Sequence, residues 1–130
     1  MQPFGITVDG VHYAVHVDYE SIKRNFEILE GSNSGMMLNG RQTRDVLGTG
    51  YSYSMTIEPD PAQQEQYDAL YEVLTAPQES HMVTLPYGQS DITFEVMIES
   101  GSDTFLGKAG RAKRWKELQV NFRFVEPYRV

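Results

Sequence analysis

An alternation of apolar and polar side chains runs through much of the chain and predicts a series of β-strands. It is clearest over residues 51–57 (YSYSMTI), 92–99 (ITFEVMIE) and 115–125 (WKELQVNFRFV), where apolar side chains recur at every second position. This period of two places one set of side chains on the core face of a sheet and the other set on the opposite face. Residues 81–87 (HMVTLPY) predict a further short strand.

The first part of the chain predicts a hairpin followed by another strand. Residues 6–8 and 11–17 flank Asp9-Gly10, a pair that strongly favours a tight hairpin turn. Residues 21–30 place Arg24 on the same face as three apolar side chains. This pattern favours a strand in which Arg24 lies near an end or an edge, and a helix is the alternative interpretation.

One segment departs from this pattern and predicts the only convincing helix, over about residues 60–76. Asp60 is a good N-cap, Pro61 suits the first helical position, and Pro77 ends the helix. Apolar side chains recur at i, i+3, i+4 and i+7, so they form one stripe. Because a helix of about four turns is not stable alone in water, the stripe is expected to be buried. Its members are Tyr67, Leu70, Tyr71 and Leu74.

The order of these elements indicates an α+β fold. Strands precede and follow the helix without β-α-β alternation, so the sheet is expected to be largely antiparallel. We therefore predict a mainly antiparallel β-sandwich or partly open β-barrel with one flanking amphipathic α-helix. The 130 residues fit a single β-rich domain with its own core.

Two glycine-rich stretches are predicted to be long loops, over residues 31–50 and 101–114. Loops of this length in a compact domain are usually functional segments or arms, or are disordered. Asn39-Gly40 is expected to close a small hairpin inside the first loop. The apolar residues of the first loop either pack back on the core or anchor onto a neighbouring subunit, where flexible Met side chains adapt well. These residues are Met36, Met37 and Leu38.

Composition and charge narrow the classes of function. The net charge of −7 argues against general nucleic-acid binding, which needs clustered Lys and Arg side chains. The chain has no cysteine, so disulfides and thiolate chemistry are absent. No apolar run approaches the length of a membrane span. The first ten residues lack the basic and apolar regions of a signal peptide, which is therefore not expected.

Candidate chemistry is sparse, and we predict no catalytic, cofactor-binding or metal-binding residue. His12 and His16 are four positions apart, which in a strand separates their side chains by about 13 Å. They are too distant to share one ion, and with His81 as the only other histidine a zinc site is not expected. Glu95 and Glu99 are available carboxylates, but acid–base catalysis would need them paired across a cleft.

The charges are unevenly distributed, which suits association between copies. An acidic stripe on the helix is either a solvated face or a face that meets a basic partner or repels DNA phosphate. Five of the eleven basic residues fall near the second loop. A basic loop of one copy meeting an acidic face of the next would give head-to-tail association; a mobile, soluble loop or a nucleic-acid patch is the alternative. The acidic residues are Glu65, Asp68 and Glu72; the basic ones are Lys108, Arg111, Lys113, Arg114 and Lys116, and Arg41 and Arg44 of the first loop are further contact candidates.

Three pieces of the sequence are less generic than the rest: strand 51–57 after Gly-Thr-Gly, the Tyr-x-x-Leu-Tyr helix at Tyr67 to Tyr71, and the end at 115–127. Their order resembles that of small proteins encoded among the tail genes of long-tailed phages and prophages of Gram-positive bacteria. The resemblance covers most of the chain and transfers no catalytic residue.

This resemblance implies a fold similar to tail-tube subunits and to the ring-forming domain of distal tail proteins. It implies a non-enzymatic tail or baseplate component, located in the virion tail or in the host cytoplasm during assembly. The implied partners are copies of the same chain and other tail proteins, without a cofactor, a membrane or sequence-specific nucleic acid. Both predicted loops are then expected to order only in the assembly.

Two other functions are compatible with the sequence. A carbohydrate- or ligand-binding β-sandwich module would use exposed aromatic rings as stacking platforms, so the exposure of those rings tests it. A small hydrolase would need paired acids in a pocket at the mouth of the barrel. The candidate rings are Tyr51, Tyr53, Trp115 and Tyr128.

Overall fold

The computed structural model describes residues 5–31, 35–36, 38–110 and 112–130, and these form eleven strands and one α-helix. The strands are β1 (Ile6–Val8), β2 (Val11–Tyr13), β3 (His16–Val17), β4 (Lys23–Glu30), β5 (Gly35–Met36), β6 (Gln42–Thr43), β7 (Val46–Glu58), β8 (His81–Tyr87), β9 (Ser90–Met97), β10 (Gly101–Ala109) and β11 (Ala112–Phe124). The helix α1 is Gln64–Leu74, and a short 3-10 helix covers Tyr19–Ser21.

Nine of these strands form one antiparallel sheet that curls into a half-barrel. Its main order is β2-β1-β8-β9-β11-β7-β3, with β4 paired to β7 and β10 paired to β11. The strands at the two ends of this order, β2 and β3, are joined through Ala14 and Val15 alone. The two ends of the sheet therefore lie side by side, and the predicted α+β fold with a partly open barrel is confirmed.

The predicted hairpin at Asp9-Gly10 is confirmed, because both residues have positive φ (52° and 80°), as this tight turn requires. The prediction of one continuous strand over residues 11–17 is wrong. The backbone changes partners at Ala14, so β2 pairs with β1 and β3 pairs with β7. This break is the point at which the curled sheet closes. Val11, next to the hairpin turn, is exposed.

Asp9 also ties the hairpin to β8. His81 donates a hydrogen bond from Nδ1 to the Asp9 carboxylate at 2.7 Å, and the backbone N–H of Met82 donates to the same carboxylate at 2.9 Å. His81 is only 3% exposed. The hydrogen bond from His81 lowers the pKa of Asp9; desolvation opposes this shift, and the Met82 N–H adds to it.

Replacing Asp9 by alanine is expected to lower the free energy of unfolding by about 1.5 kcal/mol, because the buried His81 nitrogen loses its partner. The folded-state pKa of Asp9 is depressed, so this stabilisation is present above the unfolded pKa of about 4 and is lost as the pH falls through the folded pKa. Urea unfolding at a series of pH values measures both effects. Asp9→Asn, which keeps the shape and the turn preference, is the matched control. A difference between wild type and Asp9→Ala that stays constant down to acid pH would contradict the charge argument.

The helix is shorter than predicted at both ends. It begins at Gln64, because Pro61 and Ala62 form a separate turn in which Asp60 accepts a hydrogen bond from the Ala62 N–H at 3.0 Å. Asp60 therefore caps this turn rather than the helix. At the other end α1 stops at Leu74, before the predicted position 76.

The apolar stripe of the helix is buried against the sheet except at its margin. Tyr67, Leu70 and Leu74 are buried, whereas Tyr71 is 37% exposed. With about 100° of rotation per residue, Tyr71 lies at the edge of the stripe that the other three define. The prediction that all four side chains are buried is therefore wrong for Tyr71.

The predicted first loop, residues 31–50, is shorter than expected. β7 begins at Val46, so Gly48 and Gly50 are strand residues. Neither has a Cβ atom, which leaves room for the C-terminal residues and a core ring to pack directly on the strand. The small hairpin expected at Asn39-Gly40 is present as β5–β6, with φ of 85° at Gly40.

The prediction of a second loop over residues 101–114 is wrong, because this stretch forms a hairpin. β10 pairs with β11 along its whole length, from Gly101 to Ala109. Gly107 (φ 141°) lies at an irregularity of the register and Gly110 (φ 65°) lies in the turn. Glycine here supplies the backbone conformations of a bulge and a turn rather than a loop.

Candidate assembly surfaces

The two longest strands extend beyond the barrel and build two arms. β7 and β11 have 13 residues each, or about 43 Å when extended. The first arm consists of β4 and residues 46–51 of β7, and the beginning of β4 also pairs with residues 52–54 alongside the barrel. The second arm consists of β10 and residues 112–117 of β11, and the beginning of β10 also pairs with Gln119 and Val120. Among the described strands, β4 pairs only with β7 and β10 only with β11. Each arm therefore presents one backbone edge that can accept another strand.

The outer strand of the first arm, β4, is largely exposed. β4 is exposed along its length except at Leu29, which is half-buried, and Phe26 reaches 73% exposure. Ile28 on β4 and Val46 and Leu47 on β7 are exposed as well. The strand predicted over residues 21–30 is present from Lys23 as β4. Leu29 packs against the core, whereas Phe26 and Ile28 remain exposed.

The second arm combines an apolar patch with basic charge. The rings of Phe105 and Trp115 contact each other at a centroid distance of 5.0 Å, and Leu106, the next residue along β10, is 55% exposed. Lys108 and Lys113 lie directly opposite each other on the two strands. Like charges opposite each other destabilise a strand pair by a few tenths of a kcal/mol or more, so an acidic partner would stabilise this arm.

The predicted contact residues fall on the two arms. The predicted contact residues of the first glycine-rich stretch, residues 31–50, are exposed at the tip of the first arm. One of them, Arg44, forms an ion pair with Glu30. Those of the second stretch lie exposed on the second arm. The first group is Met36, Leu38, Arg41 and Arg44, the second is Lys108, Lys113 and Arg114, and the remaining candidates, Met37 and Arg111, lie outside the described residues.

The acidic stripe of the helix faces solvent. Glu65, Asp68 and Glu72 are exposed, and none of them forms an ion pair with a described residue. On the opposite face, the Tyr67 hydroxyl donates a hydrogen bond to Asp103 of β10 at 2.9 Å. Burial, reinforced by this hydrogen bond, raises the pKa of Tyr67. The helix is therefore held to the base of the second arm, with its acidic face free for a partner.

The aromatic rings considered as stacking platforms divide into two pairs. Tyr51 and Tyr53 are buried, and the Tyr53 hydroxyl donates to the carbonyl of Pro86 at 2.7 Å. Trp115 and Tyr128 are exposed. Burial removes the first pair as platforms, and Trp115 is already covered on one side by its contact with Phe105.

The histidines and carboxylates do not assemble a reactive centre. His16 lies 3.8 Å from Asp60 and His81 is bonded to Asp9, so each has a separate acidic neighbour. Glu95 accepts a hydrogen bond from Ser80. Within the described part of the chain, no three His, Asp or Glu side chains are placed to hold a metal ion.

A groove on the inner side of the first arm was missed by the sequence analysis. It encloses about 540 Å³. The sequence feature that could have indicated this groove is Arg24, which lies on the apolar face of its strand. A charged side chain is unusual on such a face unless the face is exposed to solvent. The lining residues of the groove are Arg24, Phe26, Ile28, Thr49, Tyr51, Tyr87 and Arg129.

Comparison of the chain with protein-family models and with curated proteins finds no match. Within the described residues, no helix has both the length and the apolar character to cross a bilayer. The function must therefore be argued from the arms, the helix face and the groove.

Proposed function

We propose that the chain is a structural, non-enzymatic component of a phage or prophage tail or baseplate, which assembles into rings with copies of itself or docks on the tail tube. The observation that carries this proposal is the pair of arms, whose open edges and exposed apolar side chains lie outside a complete core. The order of elements in the sequence resembles that of small phage tail proteins, and this resemblance is the reason for proposing a tail or baseplate.

The energetics of the arms support assembly. Exposed apolar side chains that cluster, rather than occur singly, usually mark a contact surface. Covering them stabilises a complex by about 25 cal/mol for each Å² of apolar surface removed from water. On the first arm these side chains are Phe26, Ile28, Val46 and Leu47, and on the second they are Phe105, Leu106 and Trp115.

The position of the open edges supports rings. One edge belongs to β4 and the other to β10, so a contact between them joins two different surfaces of successive copies. Contacts of this head-to-tail kind generate rings when the rotation between copies closes. The net charge of −7 is compatible with a ring through which DNA passes without sticking, because like charges repel phosphate.

Replacing Leu106 by lysine tests the proposal. Wild-type protein is expected to form particles of several copies, with a mass well above the 14.8 kDa of one chain. Leu106→Lys is expected to form no rings and to lose most of the assembled mass, because a charge replaces an apolar contact inside an already basic arm. Light scattering measures the mass, and negative-stain microscopy shows whether the particles are rings.

The matched control is Val11→Lys, since Val11 and Leu106 are similarly exposed (53% and 55%) but Val11 lies off the arms. This variant is expected to assemble like wild type. Wild-type protein that stays at the mass of one chain at high concentration, with no rings in the presence of other tail proteins, would contradict the proposal. Equal loss of assembly in both variants would show that the arm is not the contact.

A further inference from the structure

Two arginines, Arg24 and Arg129, line the groove of the first arm together with Tyr51 and Tyr87. The guanidinium carbon of Arg24 lies 5.6 Å from the centre of the Tyr87 ring. The Tyr87 hydroxyl shares a hydrogen bond of 3.0 Å with the hydroxyl of Tyr51. This hydrogen bond and the nearby Arg129 lower the pKa of Tyr51, while desolvation opposes the shift. Both arginines therefore act on the same pair of phenols.

These two charges have no counter-ion within the described part of the chain. The ion pairs that arginines form there join Arg44 to Glu30 and Arg123 to Glu27, and neither Arg24 nor Arg129 has a carboxylate within 4.0 Å. Both are exposed toward the groove opening. Two uncompensated cations in one concave site, in a chain of net charge −7, favour an anionic ligand.

The walls of the groove narrow the class of ligand. Phe26 and Ile28 are apolar and exposed, by 73% and 39%, while the arginines offer planar donor forks that match carboxylate oxygens. A site with apolar walls and separated cations suits carboxylates carried on a polypeptide surface. An acidic face of a helix has this chemistry.

The acidic face of α1 is such a surface, and it lies at the opposite end of the barrel. Tyr51 of β7 lines the groove. Toward the other end of the same strand, Ile57 pairs with Leu118, and Leu118 packs beside the helix. Six residues of extended strand separate these positions by about 20 Å. The helix therefore cannot reach the groove of its own chain.

We propose that the groove around Arg24 and Arg129 binds the acidic helix face, Glu65, Asp68 and Glu72, of a second copy. Copies then join end to end along the barrel, through the inner face of the first arm and the helix rather than through the open strand edges. The three carboxylates span about 10 Å along the helix, a length that two arginines on neighbouring segments can engage. This inference rests on the proposed self-assembly but names a separate contact.

A charge-swap experiment tests this contact. The groove variant carries Arg24→Glu and Arg129→Glu, and the helix variant carries Glu65→Lys, Asp68→Lys and Glu72→Lys. Both are made in the Leu106→Lys background, so that contacts through the second arm are removed. Each variant alone is expected to self-associate at least about tenfold more weakly than its parent, and an equimolar mixture is expected to recover the association as a 1:1 complex. Sedimentation velocity measures both, and circular dichroism checks folding.

The control for net charge is a chain carrying Glu20→Lys, Glu79→Lys and Glu126→Lys, three exposed acids away from α1. It is expected to associate like its parent. A mixture of the groove and helix variants that stays monomeric overturns the inference, even if the groove then binds a different acidic ligand. If the mixture associates while wild-type protein forms no rings, the contact between groove and helix stands and the proposed function fails. If wild type forms rings and the mixture does not associate, the proposed function stands and the contact between groove and helix fails.

Discussion

Replacing Leu70 by alanine is expected to lower the free energy of unfolding by about 3 kcal/mol, within the range measured for buried leucines. Leu70 has 0% exposure and lies between Tyr67 and Leu74 on the buried stripe of α1. The truncation removes apolar contacts between the helix and the end of the barrel and leaves a cavity in a well-packed core. Urea unfolding followed by circular dichroism measures the change.

Tyr71→Ala is the matched control for this prediction, because sequence periodicity assigns Tyr71 to the same stripe. Its side chain is 37% exposed, so its truncation is expected to cost less than about 1 kcal/mol. Equal losses in the two variants would mean that Tyr71 is as buried as Leu70. The helix would then be rotated relative to the sheet.

Replacing Gly48 by alanine is expected to destabilise the protein by about 2 kcal/mol and to release the C-terminal segment. Gly48 has φ of 155°, and a Cβ atom there would collide with the carbonyl oxygen of Arg129 and lie 2.7 Å from Cβ of Pro127. This segment is held at Thr49, whose N–H donates to Arg129 at 2.7 Å and whose carbonyl accepts from Tyr128 at 2.9 Å.

Hydrogen exchange separates the local effect from global unfolding. The amide of Tyr128 is protected in wild type by its bond to Thr49 and is expected to exchange faster in Gly48→Ala. Gly35→Ala is the control, because a Cβ atom on Gly35 meets nothing within 4 Å, and a change within about 0.5 kcal/mol is expected. Unchanged exchange at Tyr128 would show that the strand shifts without releasing the segment. Since Arg129 lies on this segment, its release would also open the groove.

The elements that were predicted correctly depend on local rules. Residues 51–57 read as a strand because their side chains alternate between a core face and an outer face, and the structure buries Tyr51 and Tyr53 accordingly. The Asp9-Gly10 turn was predictable because few pairs of residues accept positive φ at both positions. The presence of the helix was predictable, but its first residue was not. Asp60 accepts a hydrogen bond within the preceding turn and does not cap the helix.

The glycines show why the rest was not predictable. In sequence, Gly48 and Gly50 look like loop residues, since glycine in a strand is usually unfavourable. Their role depends on residues near the C-terminus that pack on them in space. Likewise, only the sheet order makes Ala14 the point where the barrel closes. Neighbours brought together from distant parts of the chain are invisible to a pattern read over ten residues.

The sequence by itself determined the strands with regular alternation, the single amphipathic helix, the acidic helix face and the absence of cysteine chemistry, because each depends on residue type and short-range periodicity. Only the tertiary structure decided that the glycine-rich stretches form parts of two arms, that Tyr71 lies outside the core, and that Arg24 and Arg129 share one groove. The physical reason is that burial, strand partners and unpaired charge are properties of surfaces. These surfaces exist only after segments distant in sequence have packed together.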